Sequence, residues 1–309
     1  MKRTLTRRSF APFELTLPAT SANLGPAFDA AALALSLFLK VRARVALEFS
    51  IVARGRDSEI CGRLENHLIL TTYREVLEAN GKPVLPLTLR LDNGIPIGKG
   101  CGSSAAARLA GIALANHYGT LNLSAEQVVG EASRREHHPD NAAACWFGGL
   151  AVARIGENRE AKFARLMPKG KWPLLLAVPN AKLSTAKARS VLPLRYSRMD
   201  TVSNIQNSML LLAAFVQGSH DLLAEVLCDR LHQPYRAALC PLLPALEQLD
   251  RTTGVLGVAL SGAGPSVLLF LDPKSDVRRV AARVRRHLQA LSLPTELIAT
   301  GISARGAGR

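Results

Sequence analysis

Over residues 35–49, LSLFLKVRARVALEF, apolar and polar positions alternate most regularly after Leu39, which predicts a strand or hairpin. FELTLPATSANLG before it reads as a short strand entering a loop. NHLILTTYREVLEANG (66–81) has helical spacing, closed by Gly81 with Pro83 beyond. PLTLRLDNGIPIG is a strand followed by turn residues, and residues 103–118 are a helix of small and apolar side chains. SAEQVVGEASRREHH opens on Ser124 with Gln127 three residues later, a capping-box pattern. GGLAVARI and PLLLAVP read as strands. Helices are expected near 201–217, 220–232 and 241–252, then strand, glycine turn and strand in GVLGVALSGAGPSVLLFL. A helix over 275–291 and the strand TELIAT finish the pattern. This order predicts an α+β second half.

The composition shifts at 157–171, ENREAKFARLMPKGK, which suggests a junction between domains 1–165 and 166–309. A chain of 309 residues, 48% hydrophobic, suffices for two cores. No window approaches the apolar length of a membrane span. TRRSFAPF resembles a twin-arginine export signal, but Glu14 interrupts the apolar region such a signal needs. Cys61, Cys101, Cys145, Cys228 and Cys240 have no zinc spacing and read as reduced thiols of a cytoplasmic protein.

The net charge of +15 raises nucleic-acid binding as a function. No aromatic residues interleave with the arginines to stack bases, and helix 275–289 keeps one apolar face like an ordinary surface helix. The charge is therefore read as a solvated surface, one that also suits an anionic small substrate.

The stretch IPIGKGCGSSAAARLAGIALAN (95–116) carries the chemistry. A Walker A loop needs four residues between its first glycine and Gly-Lys, then Ser or Thr. Here three residues separate Gly94 from Gly98, and Gly100 follows Lys99, so that reading fails. Gly98, Gly100 and Gly102 still let backbone approach an anion. Ser103 and Ser104 open a helix whose first N–H groups and dipole favour phosphate. A capped flexible turn is the structural alternative. PATSANLGPAFDAAALAL, EHHPDNAAACWFGGL and SGAGPSVLLFL are further glycine- or polar-rich segments.

Together these segments resemble the GHMP kinases, a superfamily of small-molecule kinases, from residue 14 to about 300. PIGKGCGSSAA matches the superfamily's second motif, P-x-x-x-G-L-G-S-S-A-A, with Cys101 in place of leucine. PATSANLGPAFD and HPDN look most like the homoserine kinases. The resemblance implies two domains, with a ribosomal-protein-like N-terminal half and a ferredoxin-like C-terminal half. It implies transfer of phosphate from ATP to the homoserine hydroxyl, on the way to threonine, with Mg²⁺ as cofactor. Another small alcohol is the alternative substrate. A homodimer is compatible with it, and neither nucleic acid nor a membrane is an implied partner.

By the same resemblance, Pro96, Ile97, Gly98, Lys99, Gly100, Cys101, Gly102, Ser103, Ser104, Ala105 and Ala106 wrap the ATP phosphates. Ser104 faces the metal with a glutamate, preferably Glu131, alternatively Glu136. Asn23, Asp29, His138 and Asn141 face the substrate, and Arg189 and Arg236 hold its carboxylate. An arginine fork suits a carboxylate, and Asp29 can pair with an ammonium. Asn141 stands where some superfamily members place an aspartate base. An amide cannot take a proton at neutral pH, so no strong protein base is expected.

Overall fold

The alternation after Leu39 belongs to a single long strand. In the computed structural model, which describes residues 11–136, 138–156 and 161–308, β2 runs Ala27–Val45. It is the spine of a six-stranded sheet. β1 (Phe13–Asn23) lies antiparallel along one edge, with register shifts after Pro18 and Ala22. A proline has no N–H to give a ladder and belongs at such a break. The other edge is shared. β4 (Leu87–Asn93) takes residues 39–45, and β5 (Leu150–Ile155) takes residues 31–33. β3 (Ser50–Gly55) continues outward from β4 in parallel, and β6 (Ala161–Leu166) from β5 in antiparallel. The gap between β4 and β5 is closed from the far end of the chain. Ser36 N donates to the Gly301 carbonyl, and Ser303 N donates to the Ala34 carbonyl, at 2.9 and 2.8 Å.

One face of this sheet is apolar. Val41, Ala43, Leu87, Leu89 and Leu91 are buried, while Lys40, Arg42, Arg44 and Arg90 point to water. The short α1 (Ser58–Cys61) follows β3, and α2 (Leu68–Ala79), α3 (Ser103–Gly119) and α5 (Asp140–Phe147) contribute to the core. α4 (Ala125–Glu136) begins with the predicted capping box. Gln127 Oε1 accepts from Ser124 N at 2.8 Å, and Ser124 Oγ from Gln127 N at 3.3 Å.

The second sheet contains β7 (Leu174–Pro179), β8 (Val255–Leu260), β9 (Val267–Leu271) and β10 (Thr295–Thr300), in the antiparallel order β10-β7-β9-β8. With helices in both crossovers this is the ferredoxin-like arrangement. α6 (Thr185–Ser190), α7 (Arg198–Gln217), α8 (His220–Val226), α9 (Gln233–Arg236) and α10 (Leu242–Glu247) lie between β7 and β8. α11 (Val277–Ala290) buries Val280, Val284 and Leu288 and is capped by the Asp276 carboxylate. β6 still belongs to the first sheet, so the sheets change over between Leu166 and Leu174. Part of the compositional junction, residues 157–160, lies outside the described residues, as do the basic residues 1–8 and Arg309.

Two helix expectations are corrected. The segment 220–232 is helical only to Val226, because the Asp229 carboxylate accepts from the N–H groups of Leu231, His232 and Gln233. Such local side-chain acceptors compete with helix continuation. The helix expected over 241–252 ends at Glu247. Among the described residues no helix is long and apolar enough to cross a membrane.

Candidate active site

Segments distant in sequence meet at the start of α3: residues within 22–29, 98–105, 138–141 and 262–264, together with Glu136, Arg189 and Arg236. The glycine-rich loop is the centre. Gly102 caps α3 in the left-handed region, at φ 69°, without any side-chain cap, which leaves the first N–H groups of α3 open toward the pocket. Gly100 packs against the second glycine loop, and a Cβ there would stand 2.1 Å from the Ser261 carbonyl oxygen. Ser261 Oγ donates to the Gly100 carbonyl at 2.8 Å. A Cβ on Gly102 would fall 1.9 Å from Thr20 Oγ1 and 3.3 Å from Asn141 Oδ1. Gly102→Ala is therefore expected to lose at least 100-fold in kcat/KM for ATP, the scale of a displaced binding element. Steady-state kinetics beside a melting curve check it; wild-type kinetics would show that the loop does not need this approach.

Lys99 is tied by its side chain to the end of β7. Its Nζ donates to the carbonyls of Pro179, Asn180 and Ala181, the first and last at 2.8 and 2.7 Å. All three ammonium donors are spent on the end of β7. Lys99→Ala is expected to lower the melting temperature by a few degrees, from about 1 kcal/mol of lost contacts. Its effect on kcat is expected to stay below about tenfold, since an indispensable lysine is a Walker A property. Loss of nearly all turnover in a folded variant would contradict this.

Asn23 Nδ2 donates to the Gly262 carbonyl at 2.7 Å, and Asn23 Oδ1 accepts from Asp29 N at 2.9 Å. Asp29 accepts from Arg189 Nη2 at 2.7 and 2.9 Å on its two oxygens. Asn141 is fixed between Thr20 Oγ1, which donates to its carbonyl at 2.5 Å, and Asp140, which accepts from Nδ2 at 3.2 Å. His138 Nδ1 stands 3.4 Å from an Asp140 oxygen. Burial alone would push the His138 pKa down. The carboxylates of Asp140, Glu136 and Asp29 outweigh it, and the net direction is up. The ring holds its proton more firmly than a free imidazole does.

Arg236 is 1% exposed yet lines the same pocket. Among the described residues no carboxylate lies within 4.0 Å of it. Burial, and then Arg189, lower its pKa.

The two candidate glutamates are separated. Glu136 Oε1 accepts from Ser104 Oγ at 2.6 Å and also from Arg108 Nε. Glu131 is paired with Arg134 and Arg135 and opens onto another cleft beside Asn80 and Glu126. The preference for Glu131 is thus corrected: Glu136 is the glutamate beside Ser104. Among the described residues no three acidic, histidine or cysteine side chains form a ready-made cation cage.

Sequence reasoning missed a second cleft, of about 500 Å³, that adjoins the first at Gly98, Ser103 and Ser104. Ile60, Cys61, His67, Ile69, Ile95 and Ile97 line it. Ile97, Gly98, Ser103 and Ser104 belong to the glycine motif, but Ile60 and Cys61 lie in a stretch given no reading, and His67 and Ile69 in one read only as helix, so nothing in the sequence joined them into a cleft. Arg108 was also missed, although it sits one turn beyond Ser104 in the helix that the sequence predicts, so the spacing could have found it.

The chain was compared with known proteins. The family model "GHMP kinases N terminal domain" matches residues 67–149, and "GHMP kinases C terminal" matches residues 211–290. A homoserine kinase of Solibacter usitatus is 43% identical over 262 residues, 84% of this chain and 85% of that one. One of Desulfitobacterium hafniense is 36% identical, covering 94% of this chain and 97% of that one. Among solved structures, the homoserine kinase of Cytophaga hutchinsonii superposes with a TM-score of 0.80 at 21% identity, covering 96% of each chain, a likeness of fold. With a helix start flanked by two glycine loops, and relatives this similar over most of its length, the chain belongs to the homoserine kinase family of the GHMP kinases.

Proposed function

We propose that the protein transfers the γ-phosphoryl group of ATP to the side-chain hydroxyl of L-homoserine, giving ADP and O-phospho-L-homoserine. The observation that carries the substrate choice is Arg236, a buried guanidinium with no carboxylate within 4.0 Å, in the pocket that the phosphate loop also lines. A buried charge is costly unless paired, so an anion belongs there. The homoserine carboxylate supplies it. Asp29, shared with Arg189, faces the ammonium, and the hydroxyl then points past Asn141 toward the start of α3.

The apolar cleft adjoining Gly98 accepts the nucleoside, and residues 96–106 wrap the phosphates. Ser104 and Glu136 fit a Mg²⁺ ion. They are oxygen donors 2.6 Å apart, against about 2.9 Å for neighbouring ligands in an octahedral shell. A bound Mg²⁺ would supply charge neutralisation on the transferring phosphoryl. The residues themselves orient and exclude. Asn141 and Asn23 are locked by their hydrogen bonds, and His138 stands at the pocket wall beside Asp140. No side chain here is a strong base, which suits a loose phosphoryl-transfer transition state governed by positioning. The hydroxyl proton passes to phosphate or water.

We place the reaction in the cytoplasm, consistent with five free cysteines, four of them buried. For a homodimer the fitting surface is α7. It exposes Met199, Val202, Ile205, Met209 and Val216, with no charged residue between Thr201 and Gln217 in a chain of net charge +15. Interface cores are depleted in charge and rich in methionine. Light scattering is expected to give a dimer that Met209→Glu dissociates; a monomeric wild type would remove this reading.

The test of function is ADP release with L-homoserine, 3-aminopropan-1-ol and mevalonate. L-Homoserine is expected to exceed 3-aminopropan-1-ol, which lacks the carboxylate, by about 30-fold or more in kcat/KM. Equal use of the two alcohols would refute the carboxylate site, and preference for mevalonate would refute homoserine.

A further inference from the structure

Arg236 is held by neutral groups. Nε donates to the Ala188 carbonyl at 3.0 Å, Nη1 contacts His232 Nδ1 at 3.1 Å, and Cζ stands 5.2 Å from the Phe28 ring centroid. His232 is itself fully buried, and its Nε2 lies 2.8 Å from the Gly25 carbonyl oxygen. A guanidinium only donates and a carbonyl only accepts. The two contacts therefore fix His232 as a neutral imidazole, with hydrogen on Nε2 and a lone pair on Nδ1. Phe28 stacks on the ring, 5.0 Å between centroids and 23° between planes. Phe28 immediately precedes Asp29 near the start of β2, and Gly25 lies in the turn that leads into that strand. One side chain thus registers the Arg236 end of the pocket against the Asp29 end.

We propose that His232 is a positioning residue for Arg236: a neutral acceptor that aims the guanidinium at the substrate carboxylate without cancelling its charge. A carboxylate at position 232 would orient the guanidinium equally well, but it would compete with the substrate for the same cation. An imidazole does not. Its neutrality has a physical cause. Burial pushes the His232 pKa down to about 4, with Arg236 acting in the same direction and Asp229, the Gly25 carbonyl and Asp29 opposing. This inference rests on reading Arg236 as the carboxylate anchor.

Two substitutions separate the ring's two nitrogens. His232→Asn keeps an acceptor near Nδ1 and loses the donor to Gly25. His232→Gln keeps a donor near Nε2 and loses the acceptor for Arg236. His232→Gln is expected to raise the KM for homoserine about tenfold or more, the scale of one lost buried hydrogen bond. His232→Asn is expected to stay within about threefold of wild type in that KM. Both should leave the dissociation constant for ATP unchanged. A purely structural role predicts equal KM values in the two variants, and that result overturns the proposal. So does an unchanged KM in His232→Gln. Nitrogen NMR of the wild-type ring at pH 7 gives an independent reading that needs no variant. The neutral Nε2–H form supports the proposal, and a charged or Nδ1–H ring overturns it. If Arg236→Ala leaves homoserine KM unchanged, the failure lies instead in the carboxylate assignment.

Discussion

Replacing Glu136 with glutamine is expected to lower kcat by about 100-fold or more, while Glu131→Gln stays within about twofold of wild type. Glu136 shares one carboxylate oxygen between Ser104 Oγ and Arg108 Nε, and its side chain is 12% exposed. In that setting a negative charge acts in a poorly screened environment, where placed charges weigh most in phosphoryl transfer. Glutamine keeps the shape and removes the charge. The same substitution at Glu131 touches only the ion pairs with Arg134, which is exposed, and with Arg135, which is half-buried; solvent-reached pairs contribute roughly 0–1 kcal/mol. Turnover at saturating substrates should be measured with calorimetric titration of ADP in the presence and absence of Mg²⁺. Metal-dependent ADP affinity should weaken in Glu136→Gln alone. The assignment fails if the two variants behave alike, or if Glu136→Gln turns over within about fivefold of wild type.

Arg236→Ala is expected to cost about 2–5 kcal/mol in homoserine use, roughly a 30-fold loss or more in kcat/KM, because it deletes one partner of a desolvated charge pair. The ATP dissociation constant should move less than about threefold, since no phosphate-loop residue bonds to Arg236. Stability is the informative counterpart. Truncation leaves the Ala188 carbonyl and His232 Nδ1 without their donor and opens a cavity, which destabilises. It also removes an unpaired buried cation, which relieves the fold. These opposing contributions predict that activity falls much further than the melting temperature. If ATP affinity falls as far as homoserine use, Arg236 serves the nucleotide or the fold; if neither changes, it has no part in binding.

Both halves of the chain show where legibility ended. The Ser124–Gln127 box was readable because it depends on four consecutive residues. So were the strands around SGAGPS, with glycine turns between apolar runs. The break at Val226 was not, because it depends on Asp229 choosing three backbone N–H groups over solvent. Which glutamate stands beside Ser104 was illegible for a related reason. Five residues along a helix is about 500°, so Glu131 and Glu136 point about 140° apart. EASRREHH is polar nearly all round and carries no stripe to say which direction faces the site. The role of Lys99 depended on where β7 ends, some eighty residues later.

The gap in the edge of β2 between β4 and β5 is filled by residues 301–303, and Gly149 N also donates to the Ser303 carbonyl. A ribosome delivers these residues after everything that precedes them. The first sheet therefore cannot close while its own sequence is emerging; Ala34 and Ser36 keep open hydrogen-bonding positions until the second domain has been synthesised. The N-terminal half spends translation as an unfinished sheet with an exposed notch, a period in which neighbouring nascent chains or a chaperone can reach it. Final closure of the first sheet thus waits for synthesis of the second domain rather than for the completion of its own.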